Sequence, residues 1–214
     1  MQSFSEQALR FTIPGPAGNI EIATEPSSNL QEKITFVMCH PHPLHQGTMD
    51  NKVVTMTCAA FKNLGLATVR FNYRGVGNSD GIYGEGLGET DDLLAVLDWL
   101  KQVRLGPIWL GGFSFGGYVA YRAASRWPIA ELLTIAPGVT RFPMQGLPEP
   151  RAPWLVVQGE ADEVIAPQAV YDWLATLQAK YELIKLPGVG HFFHGQLVTL
   201  KALLIDHYTK KLLA

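Results

Sequence analysis

The feature that most constrains the fold is a series of short apolar runs in the chain. Six of them follow one another after the first 30 residues, at 33–39, 66–71, 107–112, 131–136, 153–159 and 181–186. Strands buried on both faces of a parallel sheet require such continuous runs, because their side chains alternate between the two faces. Helical patterns lie between most of the runs, at 51–64, 90–104, about 115–126, 167–180 and, after the last run, 194–213. The alternation predicts an α/β fold with a doubly wound, mostly parallel sheet, helices on both faces and right-handed crossovers.

Three segments refine this prediction. Residues 8–13 and 19–24 alternate between apolar and polar side chains around P-G-P-A-G, which predicts an antiparallel pair of strands. The helix over 90–104 is expected to begin at Thr90-Asp91-Asp92, because a cap and negative charge suit a helix N-terminus. Residues 137–152 contain four prolines and two glycines, so we expect no substantial helix there and no substantial lid.

Length, charge and cysteine use narrow the class of protein. A chain of 214 residues with a net charge of −2 predicts one domain over residues 1–214 and gives no reason to expect nucleic acid or an anionic membrane as partner. The N-terminus lacks the pattern of a signal peptide, and no apolar run is long enough to span a membrane. Cys39 and Cys58 lie in apolar surroundings and are expected to be buried thiols in a reducing compartment. We therefore expect a cytoplasmic enzyme or binding protein.

A candidate nucleophile follows the third apolar run. Gly112-Phe113-Ser114-Phe115-Gly116 fits the pattern G-x-S-x-G at the junction between the strand over 107–112 and the next helix. Ligands of an open parallel sheet bind at the carboxyl ends of its strands, where helix N-termini also point. A serine on so sharp a turn projects its hydroxyl into that crevice, and the flanking glycines avoid collisions with neighbouring backbone. The alternative is a glycine-rich helix start with a serine cap.

A serine nucleophile needs a base and a group that orients the base. The strand over 153–159 ends in Gly159-Glu160-Ala161-Asp162-Glu163, which brings a carboxylate to the same edge of the sheet. Asp162 is the predicted acid, with Glu160 and Glu163 as alternatives. The strand over 181–186 is followed by P-G-V-G-H-F-F-H, whose glycines allow the loop to reach over the strand ends. His191 is the predicted base, whereas His194 is expected to cap or pack against the last helix.

The chain resembles the α/β-hydrolase superfamily. The order serine, acid, histidine carries the likeness, with the motifs G-F-S-F-G, G-E-A-D-E-V and G-V-G-H-F-F and the turn R-G-V-G-N-S at 74–79. The likeness covers nearly the whole chain and is strongest to small bacterial hydrolases without a lid that share the run C-H-P-H-P-L. It implies an eight-stranded, mostly parallel sheet and acyl-transfer hydrolysis without a cofactor.

The resemblance also implies an oxyanion hole of backbone N–H groups. Phe115 follows the nucleophile at a helix N-terminus and is one expected donor. The loop after the strand over 33–39 supplies the other, and alignment with the family's H-G-x-P places it at His42. Pro41 and Pro43 lack an N–H group, and Leu44 is the alternative donor.

The run H-P-H-P-L-H also permits a different interpretation. His40, His42 and His45, with Asp50 nearby, contain ligand types that zinc prefers. Proline-fixed backbone, non-helical spacing and the serine motif all argue against a metal site. For His40 and His45 we expect a structural role, with ring nitrogens bonded to loop backbone.

The sequence therefore predicts a serine hydrolase, like a carboxylesterase or thioesterase, that acts on a small acyl substrate. The alternatives are a binding protein that has lost catalysis, or a peptidase or C–C hydrolase with the same triad. Arg74 and Arg141 are expected to form surface salt bridges rather than to bind substrate. An apolar wall of the cleft is expected from a set of which about half belongs to the core: Phe113, Phe115, Phe142, Met144, Phe192 and Phe193.

Overall fold

The fold is built around an eight-stranded sheet. The computed structural model describes residues 4, 6–29 and 33–213. The strands are β1 (Leu9–Gly15), β2 (Gly18–Glu25), β3 (Thr35–Cys39), β4 (Ala67–Phe71), β5 (Ile108–Phe113), β6 (Glu131–Ile135), β7 (Trp154–Gly159) and β8 (Glu182–Leu186). Their order in the sheet is β1-β2-β4-β3-β5-β6-β7-β8. β1 pairs antiparallel with β2, and β2 with β4, whereas the remaining pairs are parallel. The predicted fold class is confirmed.

Five helices cover the two faces of the sheet. They are α1 (Lys52–Asn63), α2 (Leu87–Val103), α3 (Phe115–Ala124), α4 (Pro167–Ala175) and α5 (Leu197–Leu212). One buried apolar cluster joins α2, α3 and α4 to one face, and a second cluster joins α1 and α5 to the other. Neighbouring strand residues divide between the two, as Leu132 and Leu133 do. This division explains why the parallel strands are apolar at successive positions.

The predicted start of α2 is wrong. The helix begins at Leu87, three residues before Thr90, and its N-cap is Gly86 at a φ of 85°. The Glu89 carboxylate accepts hydrogen bonds from the N–H groups of Gly84 and Gly86, at 2.8 and 2.7 Å. Glu89 therefore supplies the acceptor at the start of the helix, at the N3 position, whereas Asp92 lies inside the helix with a buried side chain.

The helix predicted over 167–180 is shorter in the structure. α4 ends at Ala175, and the N–H group of Gln178 donates to the Glu149 carboxylate at 2.9 Å instead of continuing the helix. The connection between β6 and β7 contains no helix, as its prolines predict. None of the helices in the described part of the chain is long and apolar enough to cross a membrane.

Candidate active site

Ser114 lies on the sharp turn between β5 and α3. Its backbone has a φ of 55° and a ψ of −115°, which is strained for a residue with a side chain. A hydrogen bond from its N–H group to the carbonyl oxygen of Ile135, 2.9 Å long, ties the turn to β6. The turn leaves the side chain half-buried at the carboxyl edge of the sheet.

The two flanking glycines allow the backbone to pack closely at this turn. A Cβ atom at Gly112 would overlap the carbonyl oxygen of Gly116, and one at Gly116 would overlap that of Cys39. The first contact joins the end of β5 to the first turn of α3, and the second joins the first turn of α3 to the end of β3. The pattern G-x-S-x-G is therefore required by packing here and is not an incidental match.

The loops after β7 and β8 bring an acid and a histidine to Ser114. His191 Nε2 lies 3.0 Å from Ser114 Oγ, and His191 Nδ1 lies 2.8 Å from Asp162 Oδ2. Since a carboxylate only accepts hydrogen bonds, Nδ1 carries the proton and Nε2 is free to accept the serine proton. Three residues predicted separately from the sequence thus form one hydrogen-bonded chain.

Backbone and side-chain donors hold Asp162 in this chain. Its Oδ1 accepts from the N–H groups of Val164 and Ile165 at 2.9 and 2.7 Å, and its Oδ2 also accepts from Gln158 Nε2 at 3.0 Å. Burial alone would raise the pKa of Asp162, but the hydrogen bonds from His191, Ile165 and Val164 together lower it below its ordinary value. The carboxylate is therefore ionised and fixed in orientation.

The residues considered beside Asp162 and His191 take no part in this hydrogen-bonded chain. Glu163 accepts a hydrogen bond from the backbone N–H of His191 at 3.2 Å and does not contact the ring, and Glu160 is exposed. His194 is exposed before α5, whose N-cap is Gln196, so the expectation that His194 caps or packs against this helix is wrong. Its ring centroid lies 5.8 Å from that of Phe192.

The candidate oxyanion donors differ in whether they are already bonded. Within the described residues, the N–H groups of Phe115 and His42 have no hydrogen-bond partner. The N–H of Leu44 donates to His42 Nδ1 at 3.2 Å. That bond leaves the His42 ring proton on Nε2, which donates to Tyr83 Oη at 3.2 Å. The arrangement favours Phe115 and His42 as donors over Leu44.

His40 connects the loop after β3, which carries His42, to the backbone after β4. Its Nδ1–H donates to the carbonyl oxygen of Pro41 at 2.7 Å, and its Nε2 accepts from the N–H of Tyr73 at 3.2 Å. Complete burial lowers its pKa to about 3, although the bond to Pro41 opposes this shift. The ring is therefore neutral and both of its nitrogens are bonded to backbone, as the structural interpretation of this histidine predicts.

The zinc interpretation finds no matching arrangement. Asp50 forms ion pairs with Arg10 and Arg70 at 2.5 and 2.8 Å, and His40 has no nitrogen available for a ligand. Across residues 4, 6–29 and 33–213, no three His, Cys, Asp or Glu side chains are grouped to hold a metal ion.

A cleft of about 410 Å³ opens over Ser114. Its lining is Pro41, His42, His45, Asn51, Ser114, Arg141, Phe142, Val164, Ile165, His191 and Phe192. Of the six apolar side chains expected in the wall, Phe142 and Phe192 line the cleft. The other four are buried: Phe113, Phe115, Met144 and Phe193.

Three residues line the cleft without having been predicted from the sequence: Asn51, Val164 and Ile165. Val164 and Ile165 are two and three residues after Asp162, so their closeness in sequence to the predicted acid was the signal that could have placed them at the cleft. Asn51 caps α1, where its Oδ1 accepts from the N–H of Val53 at 2.9 Å.

The two arginines considered for substrate binding differ. Arg74 forms an ion pair with Asp92, with Nη2 and Oδ1 2.8 Å apart, as predicted, although the carboxylate is buried. Arg141 has no ion pair with any described carboxylate, and it lines the cleft, so the expected salt bridge is wrong for this residue. Glu149, the acid in the same connection after β6, accepts instead from the N–H group of Gln178 at 2.9 Å.

Comparisons with known proteins identify relatives of the same fold. No family model matches the chain. XC6422 of Xanthomonas campestris, an α/β serine hydrolase without a lid, is 40% identical, and the match has a TM-score of 0.92 over 98% of this chain and 97% of that one. The uncharacterized protein RP471 of Rickettsia prowazekii is 34% identical over 190 residues, which are 84% of this chain and 79% of that protein. The mitochondrial palmitoyl-protein thioesterase ABHD10 of Bos taurus is 40% identical over 82 residues, only 36% of this chain and 26% of that protein.

Proposed function

The chain belongs to the α/β serine hydrolases, and on that premise we propose that it hydrolyses a small ester or thioester through Ser114, His191 and Asp162. The observation that carries the proposal is the unbroken pair of hydrogen bonds from Ser114 Oγ to His191 and from His191 to Asp162, at 3.0 and 2.8 Å. A serine hydroxyl is a weak nucleophile unless a base accepts its proton, and this pair supplies the base and its orienting group.

The first half of the reaction forms an acyl-enzyme. Ser114 Oγ attacks the substrate carbonyl carbon while its proton passes to His191 Nε2. Asp162 stabilises the imidazolium, which then gives the proton to the leaving oxygen or sulfur as its bond to the acyl carbon breaks. The products of this half are the free alcohol or thiol and an ester of Ser114.

The second half regenerates the enzyme. Water attacks the acyl carbon, His191 takes a proton from that water, and Ser114 leaves as the protonated hydroxyl when the acid is released. In both halves negative charge on the carbonyl oxygen is stabilised by the N–H groups of Phe115 and His42, at about 3–4 kcal/mol for each donor.

The substrate class follows from the cleft. A cleft of about 410 Å³ without a lid favours small or exposed acyl groups, against an apolar wall that includes Phe142 and Phe192. Thioesters belong to the class because the chemistry is shared, and the partial identity to a palmitoyl-protein thioesterase supports their inclusion. Residues 1–214 are proposed to act as a single domain in the cytoplasm, in keeping with two buried free thiols, Cys39 and Cys58.

Labelling with a fluorophosphonate probe, followed by peptide mass mapping, tests the proposal. We expect a label on Ser114 in the wild type, no label in Ser114→Ala and slow labelling in His191→Ala. A folded wild-type protein that takes no label would refute the hydrolase and favour a binding protein of the same fold. If Ser114 is labelled, nitrophenyl esters and acyl thioesters of increasing chain length define the substrate.

A further inference from the structure

The side chains that line the cleft over Ser114 fall into two chemical sets. Phe142, Val164, Ile165 and Phe192 are the apolar set, which we call the apolar wall. The polar and basic set, which we call the basic wall, consists of His42, His45, Asn51 and Arg141, and it meets the apolar wall where the ring centroids of His42 and Phe142 lie 5.7 Å apart. No Asp or Glu is among the described residues that line the cleft, although the chain has 19 of them and a net charge of −2. Two acids close to His191 are already bonded to it: Asp162 accepts from the His191 ring, and Glu163 accepts from the backbone N–H of His191.

Arg141 is the permanent charge of the basic wall. Arg10, Arg70, Arg74 and Arg126 form ion pairs with carboxylates. Arg141 is exposed and, like Arg151 outside the cleft, has no such partner in the described residues. Its backbone is fixed by a turn in which the N–H groups of Arg141 and Phe142 both donate to the Gly138 carbonyl oxygen, at 3.0 and 3.1 Å. A held backbone with an unpaired guanidinium presents a ready donor to a ligand.

Three side chains of the basic wall lie close enough to influence one another: His42, His45 and Arg141. Burial lowers the pKa of His42, and the neighbouring His45 and Arg141 lower it further. The rings of His42 and His45 also contact each other, with centroids 4.8 Å apart. His42 is therefore held neutral, with its ring bonded to Tyr83 and the Leu44 N–H, and Arg141 is the group of the basic wall that meets an anion.

We infer that the basic wall binds an anionic group of the substrate, a carboxylate or a phosphate, and that Arg141 determines this specificity. The inference rests on the proposed hydrolase function, because the anion and the scissile carbonyl occupy one cleft. A guanidinium binds either group through two parallel hydrogen bonds, which a neutral isostere cannot accept equally well. The preferred substrate then carries its anionic group within reach of Ser114, with its apolar part on the apolar wall.

A matched set of esters tests the inference. The 4-nitrophenyl monoester of glutaric acid presents a carboxylate, its methyl ester is the neutral control, and the 4-nitrophenyl ester of 4-phosphonobutyric acid presents a phosphate-like group. We expect the wild type to have a higher kcat/KM for an anionic ester than for the neutral one. The two anionic esters compared with each other assign the site to carboxylate or phosphate.

Arg141→Gln should lower the anionic-to-neutral ratio of kcat/KM by about 10- to 100-fold, the range of a hydrogen bond to a charged group. The loss should fall mainly on KM, and Arg141→Lys should restore part of it. Arg151→Gln makes the same charge change at an exposed arginine outside the cleft and should leave the ratio unchanged. An equal ratio in wild type and Arg141→Gln would overturn the inference.

A binding measurement keeps the inference testable if no ester is hydrolysed. Calorimetric titration of glutarate and of phosphonobutyrate into Ser114→Ala should show binding that weakens at least tenfold when Arg141→Gln is added. Arg141-dependent binding in a protein whose Ser114 takes no fluorophosphonate label would refute the proposed function and keep the anion site. Binding that is absent, or equal in both variants, would refute the anion site itself.

Discussion

Arg74 and Asp92 form a bidentate ion pair that fastens the loop after β4 to α2. Arg74 Nε lies 3.0 Å from Asp92 Oδ2, Nη2 lies 2.8 Å from Oδ1, and the Arg74 backbone N–H also donates to Oδ2 at 2.9 Å. Only 1% of the Asp92 side chain is exposed, against 16% of Arg74. The next residue toward the N-terminus, Asp91, pairs with Arg126 at 3.3 Å with about half of each side chain exposed. Adjacent aspartates in one helix thus form a buried pair and an exposed one.

Asp92→Asn should destabilise the protein far more than Asp91→Asn. Removing one partner of a buried pair leaves the other charge uncompensated, so we expect the free energy of unfolding to fall by about 3 kcal/mol. The exposed pair of Asp91 is worth less than about 1 kcal/mol. Urea denaturation of both variants gives the two values, and equal losses would contradict the difference in burial.

Gly112→Ala should prevent the tight turn that carries Ser114. The new methyl group would overlap the carbonyl oxygen of Gly116, and the backbone at the start of α3 would have to move, at a cost of about 2–3 kcal/mol. Gly146→Ala is the control, because no atom lies within 4 Å of its Cβ position and only the φ of 75° opposes it, at about 1–2 kcal/mol. Thermal denaturation measures the loss of stability, and fluorophosphonate labelling should slow in Gly112→Ala alone.

The sheet could be predicted from the sequence because the strands at its centre are buried on both faces. β5 and β6 are buried at every position, so apolar runs mark them without any knowledge of their partners. The candidate nucleophile was equally visible, since the overlap of a Cβ at Gly112 with Gly116 is a constraint within one local segment. Constraints that act within one segment can be recognised from the residues of that segment alone.

The rest depended on contacts between distant segments. α2 begins early because Glu89 accepts from Gly84 and Gly86, and a loop conformation with positive φ at Gly86 is not apparent from periodicity. Arg141 was expected to pair with an acid, as Arg74 does, and only the folded loop after β6 shows that no described acid reaches it. Which charged side chains form ion pairs depends on the tertiary structure, and short-range sequence patterns do not contain this information.

His40 should make the protein less stable as the pH falls. In the fold its pKa is about 3, whereas the ordinary value is 6.5, so between these values the unfolded chain binds a proton that the native protein rejects. Stability from this group is complete above pH 6.5 and is lost as the pH falls toward 3, by about 2 kcal/mol between pH 7 and pH 5. Chemical denaturation at several pH values should show that the free energy of unfolding of the wild type falls with pH in this way. It should fall less steeply in His40→Gln, whose amide can still accept the Tyr73 N–H. Parallel slopes would show that His40 does not carry the effect.

Asp162→Asn should abolish most of the activity while preserving the fold. The asparagine oxygen can still accept from the N–H groups of Val164 and Ile165, which turns its amide NH₂ toward His191 Nδ1. His191 then accepts at Nδ1 and carries its proton on Nε2, so it cannot take the proton of Ser114, and kcat should fall about 10⁴-fold. Hydrolysis of 4-nitrophenyl acetate measures the loss, and Glu160→Gln, which removes an exposed carboxylate from the same loop, should retain full activity. A folded Asp162→Asn variant with kcat within tenfold of wild type would show that His191 takes its tautomer from another group.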